Sequence, residues 1–111
     1  KEAAIVARLL EVVGAGGRGV TGLGPVLDAL AERRVEHLVV SHEFEAEGWR
    51  CGTTGRLHDI RHVADGPDLH PVQDVVEEAI DDALAQGAEV EICVGNPDLD
   101  VHGRIGALLR Y

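Results

Sequence analysis

Residues 35 to 41 read Val-Glu-His-Leu-Val-Val-Ser, and the apolar positions Val35, Leu38, Val39 and Val40 constrain the fold more than any other stretch. Successive side chains on a strand point to opposite faces, so the unbroken run Leu38 to Val40 puts apolar groups on both. Such a strand is stable only with both faces covered, which places it centrally in a sheet with further layers above and below. The flanking segments have the periods needed to supply those layers.

From Glu2 to Val13 the residues Ile5, Val6, Leu9, Leu10 and Val13 recur at helical spacing, with Arg8 and Glu11 on another side. A second helix is expected with Thr21 or Gly24 near its start, Pro25 in its first turn and Val26, Leu27 and Leu30 turned inward, stopping near Arg34. Pro71 is expected to open a third, whose stripe Val72, Val75, Val76, Ala79, Ile80, Ala83 and Leu84 ends at Gly87. Between these two helices, Trp49 to Leu57 fits a strand or hairpin around Gly52 and Gly55, and His58 to His70 an irregular loop. Glu89 to Val94 alternates as a strand does, Gly95-Asn96-Pro97 breaks it, and Arg104 to Arg110 forms a last strand. Helices alternating with strands, and no long repeat, give an α/β fold: a three-layer α/β/α sandwich on a small mixed sheet.

A chain of 111 residues, 45% hydrophobic, fits a single domain spanning residues 1–111. It has no Met and opens inside a helical pattern, so it reads as the C-terminal fragment of a longer protein. No run approaches the roughly 18 apolar residues of a membrane span, and no signal peptide is evident, so the expected location is the cytoplasm, with Cys51 and Cys93 reduced. Twenty acidic against ten basic residues leave a formal charge of -10, which disfavours direct nucleic-acid binding. Asp74, Glu77, Glu78, Asp81 and Asp82 fall opposite the apolar stripe of the third helix, where a solvated face would welcome only a basic partner.

Three constellations bear on chemistry. Gly14, Gly16 and Gly19 satisfy Gly-x-Gly-x-x-Gly, as do Gly17, Gly19 and Gly22, so a small nucleotide-binding α/β domain using the Gly14–Gly22 loop is the enzyme-class alternative. The pattern requires a preceding strand, and here a helix precedes it. Cys51, His58, His62 and His70 are metal-ligand types in one region, but no second cysteine follows Cys51 at knuckle spacing, so no metal and no cofactor are assigned. Ser41 beside His42 lacks the Gly-x-Ser-x-Gly elbow of a hydrolase. No catalytic residue is assigned, and the chain is expected not to be an enzyme.

The terminal string Gly103-Arg104-Ile105-Gly106-Ala107-Leu108-Leu109-Arg110-Tyr111 resembles the glycine, isoleucine, leucine, arginine, tyrosine signature near the end of the third domain of class I peptide-release factors and their Pelota relatives. Gly22 to Leu30 followed by Val35 to Val40, and Val72 to Leu84 followed by Ala88-Glu89-Val90, resemble that domain's two helix-to-strand units in the same order. The chain more closely resembles the bacterial and archaeal branch, which includes the hibernation factor Balon; where many relatives carry Cys-x-x-Cys-Gly, it has Cys51 and Thr54. The resemblance implies the fold of kink-turn-binding ribosomal proteins and a noncatalytic role in termination, rescue or hibernation. The implied partners are a translational GTPase and the ribosome. It also implies partner contact through the terminal signature, with Leu108, Arg110 and Tyr111 as binding residues. One of Leu108 and Leu109 is expected to pack inward and the other outward. On that basis, replacing Arg110 and Tyr111 by alanine is expected to weaken docking without unfolding the domain.

Overall fold

In the computed structural model, which describes residues 2–60 and 68–111, the chain runs α1 (Glu2–Gly14), β1 (Gly19–Thr21), α2 (Leu23–Ala31), β2 (Val35–Ser41), β3 (Gly48–Cys51) and β4 (Leu57–Asp59). It continues through β5 (Leu69–Val72), α3 (Val75–Ala85), β6 (Glu89–Cys93), α4 (Pro97–Asp100) and β7 (Ile105–Leu109). The main sheet has the order β1-β7-β2-β6, with β2 parallel to β6 and antiparallel to β7. The expected mixed sheet is thus present, with β2 in its interior.

Both faces of that sheet are covered, as the sequence of β2 demands. On one face α2 and α3 bury Val26, Leu27, Leu30, Val75, Val76 and Ala79 against Leu38 and Val40 of β2 and Ile105, Ala107 and Leu109 of β7. On the other, Val6 and Leu9 of α1 and Leu99 of α4 cover Val39, Cys93 and Leu108. The three-layer α/β/α sandwich follows from this division of one strand's side chains between two cores. Ser41, buried at the end of β2, donates its hydroxyl to Asp100 Oδ1 at 2.7 Å and so pins α4 to the sheet.

All three long helices end in the same hydrogen-bonded turn, in which one residue adopts a left-handed conformation and two amides reach back to the last free carbonyls. In α1 Gly16 (φ 72°) does this, with Gly16 N–H bonded to Val13 O and Gly17 N–H to Val12 O. In α3 it is Gly87 (φ 81°), with Gly87 N–H bonded to Leu84 O and Ala88 N–H to Ala83 O. In α2 it is an arginine, Arg33 (φ 56°), with its N–H bonded to Leu30 O and that of Arg34 to Ala29 O. The turn ends α2 at Ala31, three residues before the expected Arg34.

The glycine-rich Gly14–Gly22 stretch, read from the sequence as a loop, contains β1, which pairs with β7 from Gly19 opposite Leu108 to Thr21 opposite Gly106. Gly19 lies close under α1: a Cβ there would sit 3.1 Å from Val13 Cγ2 and 3.3 Å from Leu9 Cδ1.

The second departure is a separate antiparallel sheet, β4-β3-β5, seated at the start of α3. The β3–β4 hairpin overlaps the expected Trp49–Leu57 region and runs on through His58 and Asp59, where a loop was expected, and Pro71 belongs to β5 rather than to a helix. Proline lacks a ladder N–H and so suits an edge strand, where Pro71 faces Trp49. The helix starts instead at Asp74, whose carboxylate accepts from Val76 N–H at 3.1 Å, with Glu77 and Glu78 in the first turn. Asp74 is therefore a cap, and Glu78 and Asp82 bind Arg50 of β3, so the acidic face of α3 is partly used to hold the small sheet. Most of the loop expected between His58 and His70, with His62, lies outside the described residues.

Candidate partner-docking surface

β7 lies between β1 and β2, and at its end the chain meets the C-terminal turns of α2 and α3 together. Helix C-termini carry unsatisfied carbonyls and negative partial charge, and the last two residues supply donors to both. Arg110 donates from Nε to Val35 O at 3.0 Å and from Nη2 to the carbonyl of Gln86, the cap of α3, at 3.0 Å. Tyr111 donates its hydroxyl to the carbonyl of Glu32, the cap of α2, at 3.0 Å.

Arg34 closes the clasp from the other side. It donates from Nε and Nη2 to Tyr111 O at 2.9 and 2.6 Å, and its guanidinium carbon lies 5.4 Å from the centre of the tyrosine ring. Arg18 donates to Arg110 O at 3.3 Å. The ring of Tyr111 is thereby fixed at one edge and over one face, yet the residue remains 59% exposed. Rigidly held, amphipathic aromatic residues of this kind serve well as interface anchors.

The three residues singled out from the sequence do not share one surface. Arg110 and Tyr111 are adjacent and outward at the end of the sheet. Leu108 is 6% exposed and packed in the core beneath α1, while Leu109, equally buried, packs under α2 and α3. The expectation of one outward leucine is therefore corrected: a sheet covered on both faces buries both. Arg110 is also more than a surface residue. Arg110→Ala removes donors to two carbonyls and is expected to destabilise the domain by about 1–2 kcal/mol, measured by urea unfolding.

Among the described residues, the other candidates do not assemble a catalytic or ligand site. The amides of the Gly14–Gly22 loop are used internally: Gly16 and Gly17 bond back to α1, Gly19 to Gly17 O and Gly22 to Ile105 O. A phosphate would find no cradle of free N–H groups there. Among the described residues no three of His, Cys, Asp and Glu are arranged to hold a metal ion. The turn after β3 is closed by protein groups instead. Thr53 donates its hydroxyl to Asp68, His70 Nε2 lies 3.1 Å from Asp68 Oδ1, and Gly52 N–H bonds Asp68 O. These contacts, the Thr53 hydroxyl foremost and His70 next, hold the Asp68 carboxyl below its usual range.

Thr54 has its own role: a hydrogen bond with its hydroxyl, followed by backbone amides of Thr54 and Thr53, lowers the pKa of the Cys51 thiol. Neither cysteine is in a disulfide, and Cys93 is 1% exposed. Iodoacetamide is therefore expected to alkylate Cys51 and spare Cys93 in the native chain. Equal labelling of both sites, read by mass spectrometry of the digested protein, would count against this geometry.

The fold and its C-terminal clasp define a three-layer α/β/α domain closed by its own terminal strand. Solved structures place it more narrowly. The chain resembles Pelota from Archaeoglobus fulgidus at 27% identity with a TM-score of 0.68, over 99% of this chain and 29% of that one. It resembles the C-terminal domain of a peptide chain release factor from Methanosarcina mazei at 24% identity with a TM-score of 0.71, over 99% of this chain and 81% of that one. Pelota from Thermoplasma acidophilum aligns at 18% identity and a TM-score of 0.63. No protein-family model and no functionally curated sequence matches. Over nearly its whole length the chain is thus similar to the C-terminal domains of class I release-factor-like proteins. It spans 29% of the Archaeoglobus Pelota.

Proposed function

We propose that the chain is the noncatalytic docking domain of a release-factor-like translation protein, acting in termination, ribosome rescue or hibernation, and that it binds a translational GTPase of the elongation-factor type and/or the ribosome. The observation that carries this reading is the presentation of Tyr111. The family's terminal signature forms an interior strand of the sheet, and its last residue stands exposed on the surface, held by Arg34 and Glu32. Of the signature's other polar side chains, Arg110 is spent on the carbonyls of Val35 and Gln86, and Arg104 lies over the ring of Phe44. Leu108 contributes from beneath, by fixing α1 on the strand that ends in the anchor.

The test separates anchor from scaffold. Tyr111→Ala, which deletes one hydrogen bond to a carbonyl and an exposed ring, is expected to lower affinity for the GTP-bound elongation-factor-type GTPase or for ribosomes about tenfold or more. Interferometry on purified components from the parent cell reads this, with circular dichroism as the check on folding. Unchanged binding to both by a folded Tyr111→Ala variant would remove Tyr111 from the interface. Phe at this position keeps the ring and loses only the bond to Glu32, so it should retain most of the affinity.

A further inference from the structure

Next to the clasp, a cavity of about 620 Å³ opens between the C-terminal turns of α2 and α3 and the turn joining β3 to β4. Its floor is aliphatic, with Leu27, Leu30 and Leu57, and its polar wall carries Arg33, Arg56 and Gln86. Arg33 stands between the two residues that hold Tyr111, Glu32 and Arg34, and Gln86 supplies the carbonyl that Arg110 caps. The cavity is thus continuous with the proposed docking surface.

Arg33 is out of place by local criteria. The same turn closes α1 with Gly16 and α3 with Gly87, because a side chain in the left-handed region is strained, whereas α2 places an arginine there at φ 56°. Its guanidinium makes no hydrogen bond or ion pair with any described residue, although the chain has twice as many acids as bases. The carboxylate on the cavity wall, Asp82, is already bound by Arg50 through both oxygens. Arg56 spends Nη2 on Asp28, and its Nε, like Gln86 Oε1, is buried with no partner among the described residues. Both atoms are shielded from solvent, so the polar handle the cavity offers an incoming group is the Arg33 guanidinium.

We propose that this cavity binds an acidic peptide segment of the docking partner, one carboxylate side chain meeting Arg33 and a neighbouring aliphatic side chain entering the floor. A single carboxylate matches one uncommitted guanidinium, whereas a nucleic acid would bring a run of phosphates against a domain of formal charge -10. The source of the segment rests on the docking reading above; the site itself does not.

The test is a titration of the isotope-labelled chain with a short capped peptide, Gly-Leu-Glu-Leu-Gly, and with its Gln and Lys counterparts and an oligouridylate, followed by nuclear magnetic resonance. The Glu peptide is expected to move the Arg33 and Arg56 Nε–H signals and the Leu27 and Leu30 methyls saturably, and to bind about tenfold more tightly than the Gln form. Arg33→Gly is expected to weaken the Glu peptide about tenfold while the thermal midpoint holds or rises, because glycine relieves the backbone and loses only the guanidinium. Equal binding of the Gln peptide, preference for the Lys peptide or the oligouridylate, or no saturable shift at millimolar peptide overturns the proposal. So does a fall in midpoint for Arg33→Gly, since the side chain would then be holding the fold. Tyr111→Ala should leave the peptide titration unchanged, so failure of the docking reading and failure of this site are read separately.

Discussion

Gly48→Ala is expected to destabilise the domain by about 3 kcal/mol, lowering the thermal midpoint by roughly 13 °C, and to unseat the three-stranded sheet from α3. Gly48 opens β3 and is buried where that strand crosses the start of α3. A Cβ there would lie 2.4 Å from the carbonyl oxygen of His58 and 2.9 and 3.0 Å from Cβ and Cγ2 of Val75. Its backbone angle is one that any residue adopts, so the need for glycine is purely spatial. Neither neighbour is free to retreat. His58 is held in the ladder opposite Trp49, and Val75, fully buried, donates its N–H to Ala46 O at 2.7 Å. Trp49, the next residue and the chain's only tryptophan, reports the displacement directly through its fluorescence. A variant with the native midpoint and emission would show that the sheet is not wedged against α3 at this position.

The small sheet is also where the sequence was least legible. β2, β6 and β7 could be read because their apolar patterns are those of strands packed on one or both faces, and α1, α2 and α3 because their apolar residues recur at the helical period. β4 and β5 are three and four residues long, too short for any period to register, and β5 carries a proline that reads equally well as the first turn of a helix. The distinction lay three residues on, in Asp74, whose cap to Val76 N–H marks the true start. The terminal signature gave the right strand and the right exposed tyrosine, but not the fate of its other residues. Leu108 and Leu109 both look available when only one face of the strand is assumed to be covered. That Arg110 reaches across to Val35 and Gln86 is set by where α3 ends relative to β7, a tertiary fact with no local signal. Arg33 offered one clue, as half of the only adjacent basic pair, but its left-handed backbone shows only in the structure.

Gly106→Ala, paired with Leu9→Ala, tests why the terminal signature contains a glycine. Gly106 is buried in β7 beneath α1, and a Cβ there would lie 2.5 Å from Leu9 Cδ2 and 3.0 Å from Val20 O of the neighbouring strand. Leu9 is fully buried and among the largest side chains in its core, so it has no room to swing aside. Gly106→Ala alone is expected to cost about 2 kcal/mol through overpacking, and Leu9→Ala alone about 3 kcal/mol through the cavity it leaves. The methyl introduced by one substitution partly fills the space vacated by the other. The double variant is therefore expected to be more stable than the sum of the two by about 1 kcal/mol or more, a coupling measurable by urea unfolding of all four proteins. Strict additivity would mean that α1 does not rest on Gly106. The coupling also bears on docking, because β7 carries Tyr111 at its end and α1 is the layer that holds β7 flat from above. A variant that lifts α1 should weaken partner binding without touching the tyrosine, and the double variant should restore part of it.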